Sequence, residues 1–126
     1  MNKEKRPIFL NLSQIRLPVT GVVSILHRLT GLLLAVAIPF FIYLFDLSVR
    51  DEQGFQMALA ILDRVEIKIF ACLLIWGLAH HLIAGIRFLL IDADIGVMKA
   101  VARKTAWLVH ALAGVIFLFG VVVIWL

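Results

Sequence analysis

The sequence predicts an all-α integral membrane protein with three transmembrane helices. Apolar residues make up 63% of its 126 positions, whereas soluble domains are only about 45–50% apolar. The mean hydropathy is +1.08. The apolar residues form three long runs, and the few charged residues lie mainly between those runs. At about 1.5 Å per helical residue, each run can cross a hydrocarbon core of about 30 Å; the runs cover residues 22–45, 67–91 and 105–126.

The first twenty residues are less apolar and predict a segment that lies at the cytoplasmic membrane interface. Residues 1–20 contain four basic residues, one acidic residue and two prolines. Apolar and polar side chains are interspersed along this segment, which is typical of chain that lies on a membrane rather than crossing it. Thr20 is expected to cap the first transmembrane helix through its hydroxyl. The length of the chain predicts one domain, a membrane anchor over residues 1–126.

The two loops between the runs differ in charge, and this difference predicts the topology. The first loop, residues 46–66, is mainly acidic, and its residues 55–64 have the periodicity of a surface helix. The second loop, residues 92–104, and the N-terminal segment together hold seven Lys and Arg residues, against two in the first loop. Because basic loops stay in the cytoplasm, we expect the N-terminus there and the C-terminus in the periplasm. The same clustering argues against a nucleic-acid site, which needs a continuous basic face.

Polar side chains inside the second run indicate a functional site. His80 and His81 are adjacent in this run, and imidazoles at membrane depth are costly and usually functional. His81 lies about 15 Å from the cytoplasmic end of its predicted helix. It shares a helical face with residues that are mainly small, namely Gly77, Ala84, Gly85 and Phe88. Such a face leaves room for a flat macrocycle or for close contact with a neighbouring helix.

A shallower group of cationic and imidazole side chains accompanies His81. Within about two turns of the expected cytoplasmic helix ends lie four such residues: His27, Arg28, Arg87 and His110. A deep imidazole beneath a cationic collar suits a haem whose iron binds His81 and whose propionates point to the cytoplasm. A hydrogen-bonded core or pore-lining histidine is the alternative. His80, which points about 100° away from His81 on the helix, and His110 remain rival ligands.

Ser24 and Arg28 form a second candidate site. They are four residues apart and therefore share one face of the first helix. A hydroxyl and a guanidinium near the interface can hold a carbonyl ligand or a propionate. The alternative is that Arg28 extends to the membrane surface while Ser24 bonds to its own backbone.

Cys72 is the only cysteine and lies inside the second run, where we expect a small buried apolar side chain. An internal disulfide, a CxxCH motif and a thiolate cluster are all excluded by this count. Any haem must therefore be held without covalent attachment, and any iron–sulfur cluster must belong to another chain.

Two motifs in the chain match a known family of membrane anchors. The first ends in SILHRLTG at residues 24–31 and is preceded by Arg6-Pro7, Asn11-Leu12, Ile15-Arg16, Pro18 and Thr20. The second comprises His81, Gly85, Arg87 and Asp92 in the family's order. Together with three spans of matching length, these motifs make nearly the whole chain similar to the cytochrome b membrane-anchor subunit of succinate dehydrogenase, respiratory complex II.

The resemblance implies roles for specific residues. His81 would be one axial ligand of haem b, and a second haem-binding membrane-anchor subunit would supply the other ligand. Ser24 and Arg28 would line a quinone-reducing site, and His27 and Arg28 would lie near the haem propionates. Some relatives carry a histidine directly after the motif arginine, whereas this chain has Phe88 there. That difference removes one contact to the haem edge.

The resemblance also implies partners and a location. Electrons would arrive from succinate through a flavoprotein subunit and an iron–sulfur subunit, and the chain would span a bacterial inner membrane. Because the chain lacks a flavin motif and has a single cysteine, we do not expect it to oxidise succinate alone. Three alternatives stay open at this stage: the anchor of a quinol:fumarate reductase, a small carrier that uses the buried histidines, and a purely structural anchor without haem.

Overall fold

The computed structural model describes residues 17–126, which form four α-helices and no β-strand. The helices are α1 (Val19–Arg50), α2 (Glu52–Leu62), α3 (Val65–Asp92) and α4 (Lys99–Trp125). Helices α1, α3 and α4 are each long and apolar enough to cross a membrane. The all-α class and the three long apolar helices are therefore confirmed. Most of the predicted interfacial segment, residues 1–16, lies outside the described residues.

The three long helices begin before the apolar runs that predicted them. Helix α1 has 32 residues, or about 48 Å of helix against a hydrocarbon core of about 30 Å. Helix α4 begins at Lys99 rather than at residue 105, because the polar residues before the apolar run continue the helix. The second loop therefore shrinks to residues 93–98, where Asp94 and Gly96 reverse the chain with φ angles of 59° and 78°.

Pro18, rather than Thr20, occupies the N-cap of α1. Its backbone is extended, and its carbonyl oxygen accepts hydrogen bonds from the N–H of Gly21 at 2.9 Å and of Val22 at 3.1 Å. Thr20 lies within the first turn of the helix, so the prediction that its hydroxyl caps α1 is wrong. Proline suits this place because its φ angle is fixed near the helical value and it has no N–H to satisfy.

The predicted surface helix is confirmed as α2. It begins three residues earlier than the predicted range of 55–64 and also ends two residues earlier. Asp51 is the single residue between α1 and α2, and its side chain accepts a hydrogen bond from the N–H of Gly54 at 2.6 Å. This bond caps α2. A Cβ atom on Gly54 would overlap the carbonyl oxygen of Leu47, so the reversal needs glycine. The acidic first loop is therefore a tight turn followed by a helix.

Helix α3 packs against both α1 and α4 and supplies the centre of the bundle. A core of buried residues joins the three helices: Val23, Ala84, Ala106 and Val109. Where α3 meets α4, a Cβ atom on Gly120 would lie 2.8 Å from Cγ2 of Ile75. Small residues thus allow the close backbone approach that is common between membrane helices. Large apolar side chains such as those of Leu89 and Phe119 point outwards, as contact with lipid or a partner subunit requires.

Arg87 is buried and joins α3 to α4. Its Nε donates to Oγ1 of Thr105 at 3.1 Å, and its Nη2 donates to the carbonyl oxygen of Ala102 at 3.1 Å. Only 7% of the residue is exposed. Arg87 therefore lies within two turns of the end of α3, as predicted, but its guanidinium is buried and bonded to α4. Because α4 starts early, its first turns offer acceptors that draw the guanidinium into the bundle.

Candidate functional site

All four histidines of the chain lie within one cluster between α1, α3 and α4. The rings of His27 and His81 are stacked, with centroids 4.1 Å apart and planes 6° apart. The rings of His80 and His110 have centroids 5.3 Å apart and planes 33° apart. Because His80 and His81 are consecutive on α3, the two pairs are neighbours. The cluster therefore crosses the bundle from α1 to α4.

His110 is deeper than the sequence predicts. It lies eleven residues after the start of α4 at Lys99, and His81 lies eleven residues before the end of α3 at Asp92. A short loop joins these ends, so α3 and α4 run antiparallel and the two imidazoles lie at similar depth, about 16 Å from the loop. The expectation of a shallow His110 is therefore wrong, and its cause is the early start of α4.

His81 is held by the backbone of α1. Its Nδ1 lies 3.0 Å from the carbonyl oxygen of His27, and Oγ1 of Thr30 lies 3.4 Å away. A carbonyl oxygen can only accept a hydrogen bond, so Nδ1 carries the proton and Nε2 carries the lone pair. Nε2 has no hydrogen-bond partner among residues 17–126. This arrangement is the one found in metal-ligating histidines, in which the second ring nitrogen is fixed by a carbonyl or carboxylate.

Gly31 provides the surface against which the ring of His81 lies. A Cβ atom at this position would be 2.9 Å from Cε1 and 3.3 Å from Nδ1 of His81. No side chain larger than hydrogen fits there without moving the ring. Gly31 ends the SILHRLTG motif, so its presence was visible in the sequence, but its contact with a ring on another helix was not.

His27 faces α3 rather than the surrounding lipid. Its face stacks on His81, and its edge meets the ring of Phe88, with centroids 5.2 Å apart and planes 75° apart. Its Nε2 would lie 3.5 Å from a Cβ atom on Gly85. Phe88 therefore packs against the imidazole of His27, in the position where some relatives carry a histidine. The stacked rings place His27 at the level of His81, so the prediction that His27 belongs to a shallower group is wrong.

Ser24 and Arg28 lie on α1 next to this cluster, and the two differ in exposure. Arg28 is exposed and Ser24 is half-buried. Neither side chain forms a hydrogen bond with another residue of the described part of the chain. By contrast, the hydroxyls of Thr30 and Ser48 each donate to a backbone carbonyl at 2.8 Å. Ser24 and Arg28 thus retain donors that a ligand can use.

The chemistry of His81 fits that of a residue that holds a haem. One imidazole nitrogen is free and its tautomer is fixed. Gly31, Gly77 and Gly85 serve close packing between α1 and α3, because the space beside each of them is filled by a side chain of the other helix. Within residues 17–126, no group of three or more His, Cys, Asp or Glu side chains is arranged to hold a bare metal ion. Cys72 is buried, as predicted.

These features define a helical membrane protein with three candidate spans and an imidazole cluster between them. The sequence model described as "Succinate dehydrogenase/Fumarate reductase transmembrane subunit" matches residues 2–126. The chain belongs to this family of membrane anchors.

Individual relatives agree with this assignment. The chain is 27% identical to the succinate dehydrogenase cytochrome b556 subunit of Coxiella burnetii over 96% of its own length and 98% of the relative's length. It is 32% identical to the subunit of the same name from Rickettsia felis, over 83% and 82% of the two chains. For the subunit from Paracoccus denitrificans the identity is 29%, over 84% and 82%.

Proposed function

We propose that this chain anchors succinate dehydrogenase in a bacterial inner membrane, binds haem b through His81 and contributes Ser24 and Arg28 to a quinone-reducing site. Membership of the anchor family supports the assignment of this chain to such a complex. The observation that carries the haem assignment is the hydrogen bond from Nδ1 of His81 to the carbonyl oxygen of His27. The relatives are named as succinate dehydrogenase subunits, which favours succinate oxidation over fumarate reduction as the working direction.

His81 would hold one axial position of the haem, and a second anchor subunit would hold the other. The hydrogen bond to the carbonyl of His27 fixes the plane of the His81 ring and makes Nε2 more basic, so Nε2 would bind a haem iron more strongly. When bound, the haem would accept and release single electrons. Arg28 and His27 would lie on the propionate side, where the exposed guanidinium of Arg28 can form charge-assisted hydrogen bonds to a carboxylate.

Ser24 and Arg28 would stabilise the charge that develops on a quinone during its reduction. The carbonyl oxygens of a quinone become negative as electrons arrive, and a guanidinium in a poorly hydrated site stabilises that charge better than water does. The hydroxyl of Ser24 can donate the complementary hydrogen bond. The two side chains follow each other by one helical turn, so one carbonyl group can meet both.

The partners of the chain provide the first test. Purification through a tag on this chain should recover a flavoprotein, an iron–sulfur protein and a second small membrane protein, identified by mass spectrometry. The preparation should transfer electrons from succinate to quinone. Recovery of the chain alone from gently solubilised membranes, with full succinate:quinone activity left in the unbound fraction, would contradict the proposed function.

The proposed topology places the N-terminus in the cytoplasm and the C-terminus in the periplasm. On the side of the first loop, three cations are each paired with a carboxylate: Arg50 with Asp46, Arg64 with Glu66 and Lys68 with Asp63. On the other side, Lys99, Arg103 and Lys104 have no carboxylate partner within the described part of the chain. With Asp92 and Asp94 counted, this side carries three cations and two carboxylates, whereas the side of the first loop carries three cations and five carboxylates. The excess of positive charge therefore lies on the side that the positive-inside rule assigns to the cytoplasm.

A reporter fusion after Leu126 measures this orientation. Alkaline phosphatase, which is active only in the periplasm, should be active there, and green fluorescent protein, which folds in the cytoplasm, should stay dark. The opposite pattern would reverse the topology and would place Arg28 on the wrong side for a cytoplasmic iron–sulfur subunit.

Gly31→Ala is expected to lower haem content and the melting temperature of the complex. The added Cβ would lie 2.9 Å from Cε1 of His81, which pushes the ring away from the carbonyl of His27. Overpacking of this kind costs about 1–3 kcal/mol. Gly114→Ala is the matched control, because a Cβ there meets nothing within 4 Å and alanine favours a helix over glycine by about 1 kcal/mol. Equal haem content in both variants would argue against the proposal that haem binding depends on the packing of the His81 ring against Gly31.

A further inference from the structure

His80 is the most completely enclosed polar side chain in the described part of the molecule. None of it is exposed, and neither Nδ1 nor Nε2 has a hydrogen-bond partner among the described residues. A neutral imidazole carries one N–H donor and one acceptor nitrogen, and buried polar groups of this kind almost always find partners. The unpartnered nitrogens of His80 therefore indicate an interaction that is not yet accounted for.

The partner of His80 must come from within the chain. Because the residue is wholly enclosed by this chain alone, an atom of a second subunit or of a haem cannot reach it without opening the bundle. Two side chains are close: the ring of Trp76 at 5.7 Å and the ring of His110 at 5.3 Å, measured between centroids. The indole of Trp76 can donate a hydrogen bond but cannot accept one. Of these two side chains, only His110 can therefore accept a hydrogen bond from the N–H of His80.

The separation of the two rings suits a direct bond. An N–H···N bond of about 2.9 Å, with about 1.1 Å from each ring centre to its nitrogen, places two centroids about 5.1 Å apart. The observed separation is 5.3 Å. A bridging water would need two bonds of about 2.8 Å and would hold the centroids about 6 Å or more apart. A half-turn of either ring about its Cβ–Cγ bond exchanges nitrogens and carbons while leaving the centroid nearly in place, so the nitrogen that faces the other ring can change without movement of the helices.

We propose that His80 donates an N–H···N hydrogen bond to His110 and that this pair is a positioning device for His81. His81 is bonded to the backbone of α1, and the adjacent residue His80 would be bonded to α4. These two contacts point in different directions from consecutive positions, so together they fix the rotation of α3 about its axis. The direction of the free Nε2 of His81 depends on that rotation. The positioning role, though not the hydrogen bond itself, rests on the proposed haem function.

The hydrogen bond is tested by solid-state nitrogen NMR of the complex labelled with 15N-histidine and reconstituted in lipid. Difference spectra against His80→Phe and His110→Phe assign the signals of the two rings. We expect one protonated nitrogen of His80 to be coupled across the hydrogen bond to an unprotonated nitrogen of His110. Absence of this coupling, or a His80 N–H bonded to a backbone carbonyl, would overturn the pair. The pair would also be overturned if metal analysis found one zinc or copper ion per complex and this ion were lost in His110→Phe.

The positioning role has its own readout in the haem of the assembled complex. The low-field electron paramagnetic resonance g value of a low-spin haem depends on the relative orientation of its axial imidazole planes, and the midpoint potential depends on the fixing of those ligands. His110→Phe should keep haem but shift both quantities. His110→Gln, whose amide can still accept from His80, should shift them less. Leu112→Phe places a ring on an exposed position of the same helix and should shift neither.

The outcomes separate this inference from the function on which it rests. Parental values in His110→Phe would refute the positioning role even if haem is bound. A parental complex that contains no haem would refute the proposed function, and the NMR coupling would then still decide whether His80 and His110 are bonded.

Discussion

His81→Ala is expected to abolish the low-spin haem spectrum of membranes that contain the complex, whereas His80→Ala should leave haem bound. The reason is that the two adjacent imidazoles face different partners. His81 has a free Nε2 and a proton fixed on Nδ1 by the carbonyl of His27. His80 is wholly enclosed and cannot reach an external iron.

The comparison is made on isolated membranes with matched amounts of the complex, determined by immunoblotting. His80→Ala is the matched control, since it removes the same ring from the next position of the same helix. This control is judged by haem retention only, because loss of the His80–His110 contact is expected to change the orientation of the His81 ring without releasing the haem. Haem loss in His80→Ala with haem retention in His81→Ala would reverse the assignment.

Ser24→Ala and Arg28→Leu are expected to lose most quinone reduction while succinate oxidation with an artificial dye acceptor continues. Removal of one preorganised donor from a site of developing negative charge costs about 100-fold or more in rate. Ser24→Ala is the cleaner probe, because it removes one hydroxyl and little volume. Arg28→Leu should have at least as large an effect, with some haem loss if the guanidinium also holds a propionate.

Helix α1 offers controls for both variants at its opposite end. Ser48 donates to the carbonyl of Phe45 at 2.8 Å, and Arg50 is paired with Asp46. Ser48→Ala and Arg50→Leu remove the same chemical groups from the same helix and should keep parental quinone reduction. Parental rates in both Ser24→Ala and Arg28→Leu would require the quinone site to lie elsewhere.

The sequence was sufficient to predict the three long helices but not where they begin and end. A long apolar run predicts a transmembrane helix because length and hydrophobicity alone satisfy the bilayer. The ends depend on local contacts that an apolar run does not encode. Helix α4 begins at Lys99, in the polar segment before the apolar run, and Pro18 occupies the N-cap position that was predicted for Thr20. The early start of α4 explains the error in the depth assigned to His110.

The candidate site could be predicted in its membership but not in its geometry. The motif residues His27 and His81 both belong to the cluster, but their direct contact was not predicted. Three features depend on how α1 and α3 are rotated against each other. They are the stacking of the two rings, the hydrogen bond from His81 to a backbone carbonyl and the packing of its ring against Gly31. Helical periodicity gives the face on which a residue lies, but it does not say which helix meets that face.

The most direct test of the account is the reduced-minus-oxidised absorption spectrum of the complex purified through a tag on this chain. We expect the bands of a low-spin b-type haem, in proportion to the amount of this chain, and their loss in the complex that carries His81→Ala. A parental complex that reduces quinone at full rate without such bands, or a His81→Ala complex that retains them unchanged, would contradict it.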